Sequence, residues 1–194
     1  MHHLHIEKKG LRGLSIAESF KENEKISHLA GVVMRRDYII DGFVFGQSTI
    51  QGNDATDVIL KMHQKLNRDD VSFIMISGLI ISMYNIVDIK KIWDQLKIPV
   101  IGVTYEDSKG IEDAIKYHFP DSYQSKIDEY HRLGQRTKIS LHTGHNVFVR
   151  IEGCTILEAK NLLNAMTLQV SVPEPLRVAQ LLAKTKLLGS SSLF

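Results

Sequence analysis

The side chains best equipped for chemistry in this chain of 194 residues are few and far apart in sequence. Glu18 offers a carboxylate just past a short apolar run, and Asp54 another after a Gln-Gly-Asn break. Ser77 ends the most apolar stretch, Asn85 follows it, and Arg177 lies in a Pro-Glu-Pro-Leu-Arg run. A carboxylate beyond a strand end is where metal sites are often built; an ordinary exposed loop glutamate fits the same pattern and is the plainer account of Glu18. Asp54 with Asp57 three residues on reads as a capping box, a complete structural explanation. Asn85 reads as a helix N-cap with Asp88 at the third helical position. Arg177 falls in the first turn of a helix, where the macrodipole disfavours a cation, so its placement suits an anionic partner such as a carboxylate or phosphate.

Other candidates are weaker. His2, His3 and His5 crowd a polar N-terminus and read as a solvated end or part of a purification tag. His142 and His145 flank a glycine turn with no carboxylate close by in sequence, so no metal pair is expected there. Arg35 and Arg36 read as a solvated hairpin tip. Lys126, His131, Arg132, Arg136 and Lys138 make one region locally basic, taken as a solvated face. The single cysteine, Cys154, excludes an intrachain disulfide and a cysteine-based zinc site, and reads as an inert, partly buried thiol. No P-loop, nucleophile elbow or dinucleotide fingerprint is present.

The elements that must position these groups follow from periodicity. Leu11–Ile16 reads as a short first strand ending at Ala17-Glu18-Ser19. Leu29–Tyr38 and Ile39–Ile50 are β-rich runs hinged at Arg35-Arg36-Asp37-Tyr38, so the first three strands form an antiparallel meander. Gly42 and Gly46 in the third run imply a bulge or a close backbone approach. Ala55, Val58, Ile59, Met62 and Leu66 form a helical stripe. Val71–Gly78 is apolar at nearly every position, the pattern of a strand buried on both faces. With a following helix (Ile86, Ile89, Trp93, Leu96) and Ile98–Thr104 it makes a β-α-β unit with parallel strands. A ligand of such a sheet sits at the strands' carboxyl ends, here near Ser77–Tyr84. Helices are expected near Lys109–His118 and over Tyr123–Leu133, then a hairpin over Thr137–His142 and Asn146–Glu152. A capped helix follows from Thr155-Ile156-Leu157-Glu158, and a last helix with Pro175 in its first turn.

Length fits one domain over 1–188, with 189–194 a flexible tail whose Leu193 and Phe194 suit docking to a protein partner. A formal charge of +2 gives no argument for nucleic acid by itself. Phe73–Met83 is too short to span a membrane, no signal-peptide core is visible, and a reducing cytoplasmic setting is expected. Three antiparallel strands followed by β-α-β, flanked by helices, is an α/β arrangement compatible with a ribonuclease H-like mixed sheet.

Gly52-Asn53-Asp54-Ala55-Thr56, Tyr84-Asn85-Ile86-Val87-Asp88, Ile98-Pro99-Val100-Ile101 and Pro173-Glu174-Pro175-Leu176-Arg177-Val178-Ala179 carry a resemblance that runs from about Lys8 to about Lys186. On them the chain resembles an uncharacterised, largely archaeal family, domain of unknown function ninety-nine or uncharacterised protein family 0215, itself similar to endonuclease V. The resemblance implies a ribonuclease H-like fold and a nucleic-acid partner. It implies Mg²⁺ or Mn²⁺ held by Glu18 and Asp54 as catalytic acids, with Ser77, Asn85 and Arg177 facing substrate. The chain departs from that pattern. Where the family's first strand ends Gly-aliphatic-Asp-Asp, this one reads Ser15-Ile16-Ala17-Glu18. Where endonuclease V carries a metal-binding Asp before Gly, Ser77 precedes Gly78. The departures imply a nucleic-acid-binding or degenerate nuclease-like module. An active Mg²⁺-dependent endonuclease and a structural or protein-interaction module are the alternatives.

Overall fold

The computed structural model describes Leu4 and residues 6–191. His2, His3, His5, Leu193 and Phe194 lie outside the described residues. The first strand, β1, runs Arg12–Ser19, through Glu18 and not merely up to it. It pairs antiparallel with β2 (Ile26–Arg35), which pairs antiparallel with β3 (Ile40–Thr49), so the expected meander forms. After α1 (Ala55–Leu66), β4 (Val71–Ser77) lies parallel to β1. A small hairpin of β5 (Ile80–Ile81) and β6 (Asn85–Ile86) comes next, then α2 (Ile89–Leu96) and β7 (Val100–Thr104), parallel to β4. Two helices, α3 (Glu112–His118) and α4 (Tyr123–Arg132), lead to the hairpin of β8 (Thr137–Ser140) and β9 (Asn146–Glu152). The chain closes with α5 (Ile156–Met166) and α6 (Glu174–Ser191), the latter reaching into the stretch expected to be a tail.

The seven strands stand in the order β3-β2-β1-β4-β7-β9-β8. Only β1, β4 and β7 are parallel neighbours. Docking of β9 antiparallel to β7 extends the sheet in a way that local pattern did not reveal. Both faces are covered. Phe73, Met75, Ile101, Val103, Val147 and Val149 pack under α5 and α6 with Leu162, Leu163, Leu176 and Ala179. Leu14, Ile16, Ile74, Ile76 and Val100 pack under α1 and α2 with Ile59, Met62, Ile89 and Ile92. Alternate residues of each strand enter alternate cores, as a pleated strand requires. That double cover explains the near-continuous apolar run of β4.

Local chemistry sets several boundaries. Thr155 and Glu158 form the expected capping box at α5. Two cap assignments are corrected. Asp88, not Asn85, is the N-cap of α2, its carboxylate accepting from the Lys91 amide at 2.9 Å. Asn85 lies in β6, completely buried. Asp54 occupies the N-cap position of α1 but makes no capping bond, and Asp57 pairs with Lys91 of α2 at 2.7 Å. Of the two β3 glycines, Gly46 marks a close approach. A Cβ there would stand 2.7 Å from the Met62 sulfur and 2.8 Å from Val58 Cγ1. Gly42 sits instead beside the register shift opposite Val33–Met34.

Overpacking of this kind costs about 1–3 kcal/mol, so Gly46→Ala is expected to lower the urea midpoint at unchanged slope. Adding Met62→Ala removes the Met62 part of the clash and leaves that with Val58. The double variant is expected to be less destabilised than the sum of the two single changes, the signature of direct contact.

Candidate functional site

The carboxyl ends of β1 and β4 carry polar groups on both faces of the sheet. Residue parity decides which groups meet. Leu14 and Ile16 enter the α1/α2 core, so Glu18 projects on that side. Ala17 enters the α5/α6 core with Phe73 and Met75, and Ser77 shares their side. Glu18 and Ser77 are therefore separated by the sheet itself.

On the α1/α2 side the polar groups form one connected cluster. Glu18 accepts from Ser27 Oγ at 2.6 Å, and Ser82 donates both its amide and its hydroxyl to the same carboxylate at 2.8 Å. Ser82 Oγ also lies 2.7 Å from Ser48 Oγ, and its carbonyl accepts from the Gln51 amide at 2.7 Å. The bond from Glu18 anchors an unusual backbone. Ser82, Met83 and Tyr84 all adopt left-handed φ values of 47°, 52° and 73°. Each costs a non-glycine residue on the order of 1 kcal/mol, which neighbouring contacts must offset. Lys126 of α4, 6% exposed, fastens the other end of the run. Its ammonium donates to Tyr84 O and Gly52 O at 3.0 Å and to Asn53 Oδ1 at 2.7 Å. Burial pulls the Lys126 pKa down, against a smaller opposing effect of Glu129. The α4 lysine expected on a solvated face is thus an internal clamp.

Asp54 and Asn85 complete the cluster. Thr49 donates its amide at 3.0 Å and its hydroxyl at 2.8 Å to the Asp54 carboxylate, and Asn85 Nδ2 donates at 2.7 Å. Asn85 Oδ1 accepts from the Ala55 amide at 3.1 Å and so satisfies the first turn of α1 from across the fold. The Asp88 amide donates to Thr56 Oγ1 at 3.0 Å. The Gly52–Thr56 and Tyr84–Asp88 stretches singled out in the sequence are therefore bonded directly to each other. Burial acts to raise the Asp54 pKa, but the bonds from Asn85 and Thr49 together outweigh it and hold the carboxyl below its ordinary 3.8.

On the α5/α6 side Ser77 meets neutral partners. Gln180 of α6 donates to Ser77 Oγ at 3.0 Å, and Tyr105 OH lies 3.5 Å away. Burial pushes the Tyr105 phenol up to about 12, against the smaller effect of Ser77, so it stays protonated near neutrality. Gln180 and Tyr105 were not picked out from the sequence. Gln180 lies three residues beyond Arg177, and Tyr105 just follows β7; both are signals of position only. Arg177 itself meets Glu174, Nε to carboxylate at 2.9 Å, so the anion anticipated for it is in its own helix turn. Of the five candidates, Glu18, Asp54 and Asn85 come together, while Ser77 and Arg177 stand apart from them.

Mg²⁺ asks for hard oxygen donors with open coordination, usually including protein carboxylates. Both Glu18 oxygens and both Asp54 oxygens already accept protein donors. Among the described residues no group of three or more His, Cys, Asp or Glu side chains is arranged to hold a metal. A divalent cation at either acid would have to share or displace these donors. His142 and His145 turn to Asn164 and to the Thr143 carbonyl. Burial, then Glu158 and Glu152, pushes the Cys154 thiol up to about 12, which keeps it unreactive.

A three-strand meander joined to parallel β4 and β7, covered by helices on both faces, defines a ribonuclease H-like fold of the endonuclease V type. Within that class the chain belongs to the endonuclease dU family, whose model matches residues 9–186. A UPF0215 protein of Pyrobaculum calidifontis is 35% identical over 171 residues, covering 88% of this chain and 93% of the relative. The crystal structure of a protein of unknown function from Archaeoglobus fulgidus is similar with a TM-score of 0.77 at 25% identity, covering 90% of this chain and 97% of that one. Endonuclease V of Ciona intestinalis, solved with a 24mer DNA containing an inosine followed by a ribo-adenosine, gives a TM-score of 0.61 at 13% identity. That match covers 92% of this chain and 87% of the other, and is a likeness of fold alone. Among the described residues no helix is long and apolar enough to cross a membrane.

The bonding of Asp54 gives a signed pH dependence. Its folded pKa is depressed, so its stabilisation is present above the unfolded value near 3.8 and is lost as pH falls through the lower folded value. Asp54→Asn is expected to be less stable than wild type at pH 7 by about 1 kcal/mol, with the gap closing below pH 3.8 in urea titrations. Glu18→Ala leaves the Ser82 amide without its acceptor. It is expected to cost about 1–3 kcal/mol and to speed amide hydrogen exchange over 79–86.

Proposed function

We propose that this protein binds nucleic acid across the carboxyl ends of its parallel strands, without a resident metal. The observation that carries the reading is the commitment of Glu18 and Asp54 to protein donors, with Ser77 surrounded by neutral groups on the other face. In this reading Glu18 shapes the Ser82–Tyr84 turn, and Asp54 and Asn85 fix the start of α1. None of the three acts as a base or a metal ligand. Family membership and the DNA-bound state of the Ciona relative support a nucleic-acid partner. Ser77, Tyr105 and Gln180 offer hydrogen bonds to a phosphate or a base edge but hold no anionic charge that would gather Mg²⁺.

A second reading is an active Mg²⁺- or Mn²⁺-dependent endonuclease using Glu18 and Asp54. One observation favours it: the two carboxylates belong to the same cluster, linked through the adjacent Ser48 and Thr49. A cation would then have to displace donors that both acids now hold. The two readings part in one assay. Labelled single- and double-stranded DNA and RNA, with and without deoxyuridine or inosine, are incubated with Mg²⁺ or Mn²⁺, and binding is followed in parallel by anisotropy. Binding that weakens steeply between about 50 and about 200 mM salt, without turnover, is the expected outcome. Metal-dependent cleavage abolished by Glu18→Gln in a folded variant would falsify the metal-free reading and establish the nuclease.

A further inference from the structure

The basic stretch between α4 and β8, expected to be a plain solvated face, instead lines a cleft of about 590 Å³. The cleft lies on the α1/α2 side of the sheet. Ile139, Val147 and Val149 enter the opposite core, so Lys138, Phe148 and Arg150 point the other way, toward Tyr130 and His131 at the end of α4. Two guanidinium groups are set over aromatic rings: Arg136 stands 5.3 Å from the centre of Phe148, and Arg150 stands 5.4 Å from the centre of Tyr130. Both are held by backbone. Arg136 donates to Glu106 O at 3.2 Å and Ser108 O at 2.6 Å, and Arg150 Nε donates to Gly134 O at 2.8 Å.

The charges do not cancel locally. Asp107 pairs with Arg136 at 3.4 Å and Glu112 accepts from His131 at 3.2 Å, and Arg136, Lys138 and Arg150 outnumber these two carboxylates in the lining. The Lys138 ammonium and the terminal nitrogens of Arg150 make no hydrogen bond or ion pair with any described residue. Two free cations beside aromatic faces, with the arginine pre-oriented, form a site for a phosphate with a planar group attached. The cleft also lies at the carboxyl end of the parallel strands. Phe148 pairs with Thr104, the last residue of β7, whereas Val103, the partner of Ser77 of β4, enters the opposite core, so the cleft and Ser77 lie on opposite faces of that end.

We propose that this cleft is a nucleotide-phosphate subsite, in which Lys138 and Arg150 hold the phosphodiester of a strand whose path continues to the carboxyl ends of β4 and β7. The inference rests on the nucleic-acid reading above and adds to it a place, two cations and a preference for single strands. An unpaired base can reach the Tyr130 and Phe148 rings, whereas a stacked duplex base cannot.

The test measures anisotropy of labelled single-stranded DNA and RNA about 12 nucleotides long, with AMP and inorganic tripolyphosphate as competitors. Variants Lys138→Ala, Lys138→Glu and Arg150→Ala are checked for folding by thermal melting. Lys138 is exposed, so its variants are expected to melt as wild type does. Lys138→Glu is expected to weaken single-strand binding by about tenfold or more, and Lys138→Ala to reduce the salt slope by about one. Oligonucleotide binding with unchanged affinity and slope in the Lys138 variants overturns the subsite and leaves the nucleic-acid reading standing. No oligonucleotide binding by wild type, with AMP bound and lost in Lys138→Glu, keeps the phosphate subsite, assigns it to a free nucleotide and overturns the nucleic-acid reading. Binding of neither by wild type overturns both.

Discussion

Adjacent residues of a strand leave opposite faces of the sheet, and this alternation governs the carboxyl end of β1. Ala17 enters the core beneath α5 and α6, so Glu18 projects toward α1 and α2. A single step along the chain therefore moves the one acid of β1 away from Ser77 and into a different chemical setting. The same alternation in β4 gives Ser77 to Gln180 and Tyr105, and in β8 and β9 it sets Lys138, Phe148 and Arg150 together on one side.

Once Glu18 is on the α1/α2 side, its neighbours follow. The carboxylate supplies acceptors for Ser82, whose left-handed backbone starts the Ser82–Tyr84 run. That run sets Asn85 beside the start of α1, and Lys126 ties Tyr84 to Gly52 and Asn53. The cluster grades from buried Ser82 and Asn85 to half-buried Glu18 and Asp54, and its inner donors and acceptors are matched. Here that matching engages both oxygens of Glu18 and both oxygens of Asp54 with protein donors.

The family resemblance and the architecture agree, yet likeness of fold carries no activity with it. The Ciona endonuclease V shares the sheet and its helical cover at 13% identity.

Much of the fold was legible in the chain itself. The meander, the β-α-β unit, the α5 capping box and the doubly buried β4 each follow from periodicity and local caps, which are short-range properties. The membership of Glu18 in β1, the exchange of roles between Asn85 and Asp88, and the docking of β9 on β7 were not legible. Each depends on partners far along the chain, such as Ser82 for Glu18 and Ala55 for Asn85. The sequence by itself determined which residues carry charge and which strands must be buried. Tertiary structure alone decided which charges are free. Glu18, Asp54, Lys126 and Arg177 all find partners within the fold, while Lys138 and the terminal nitrogens of Arg150 find none among the described residues. Hydrogen bonding saturates over distances of about 3 Å, and only the folded chain brings residues that close.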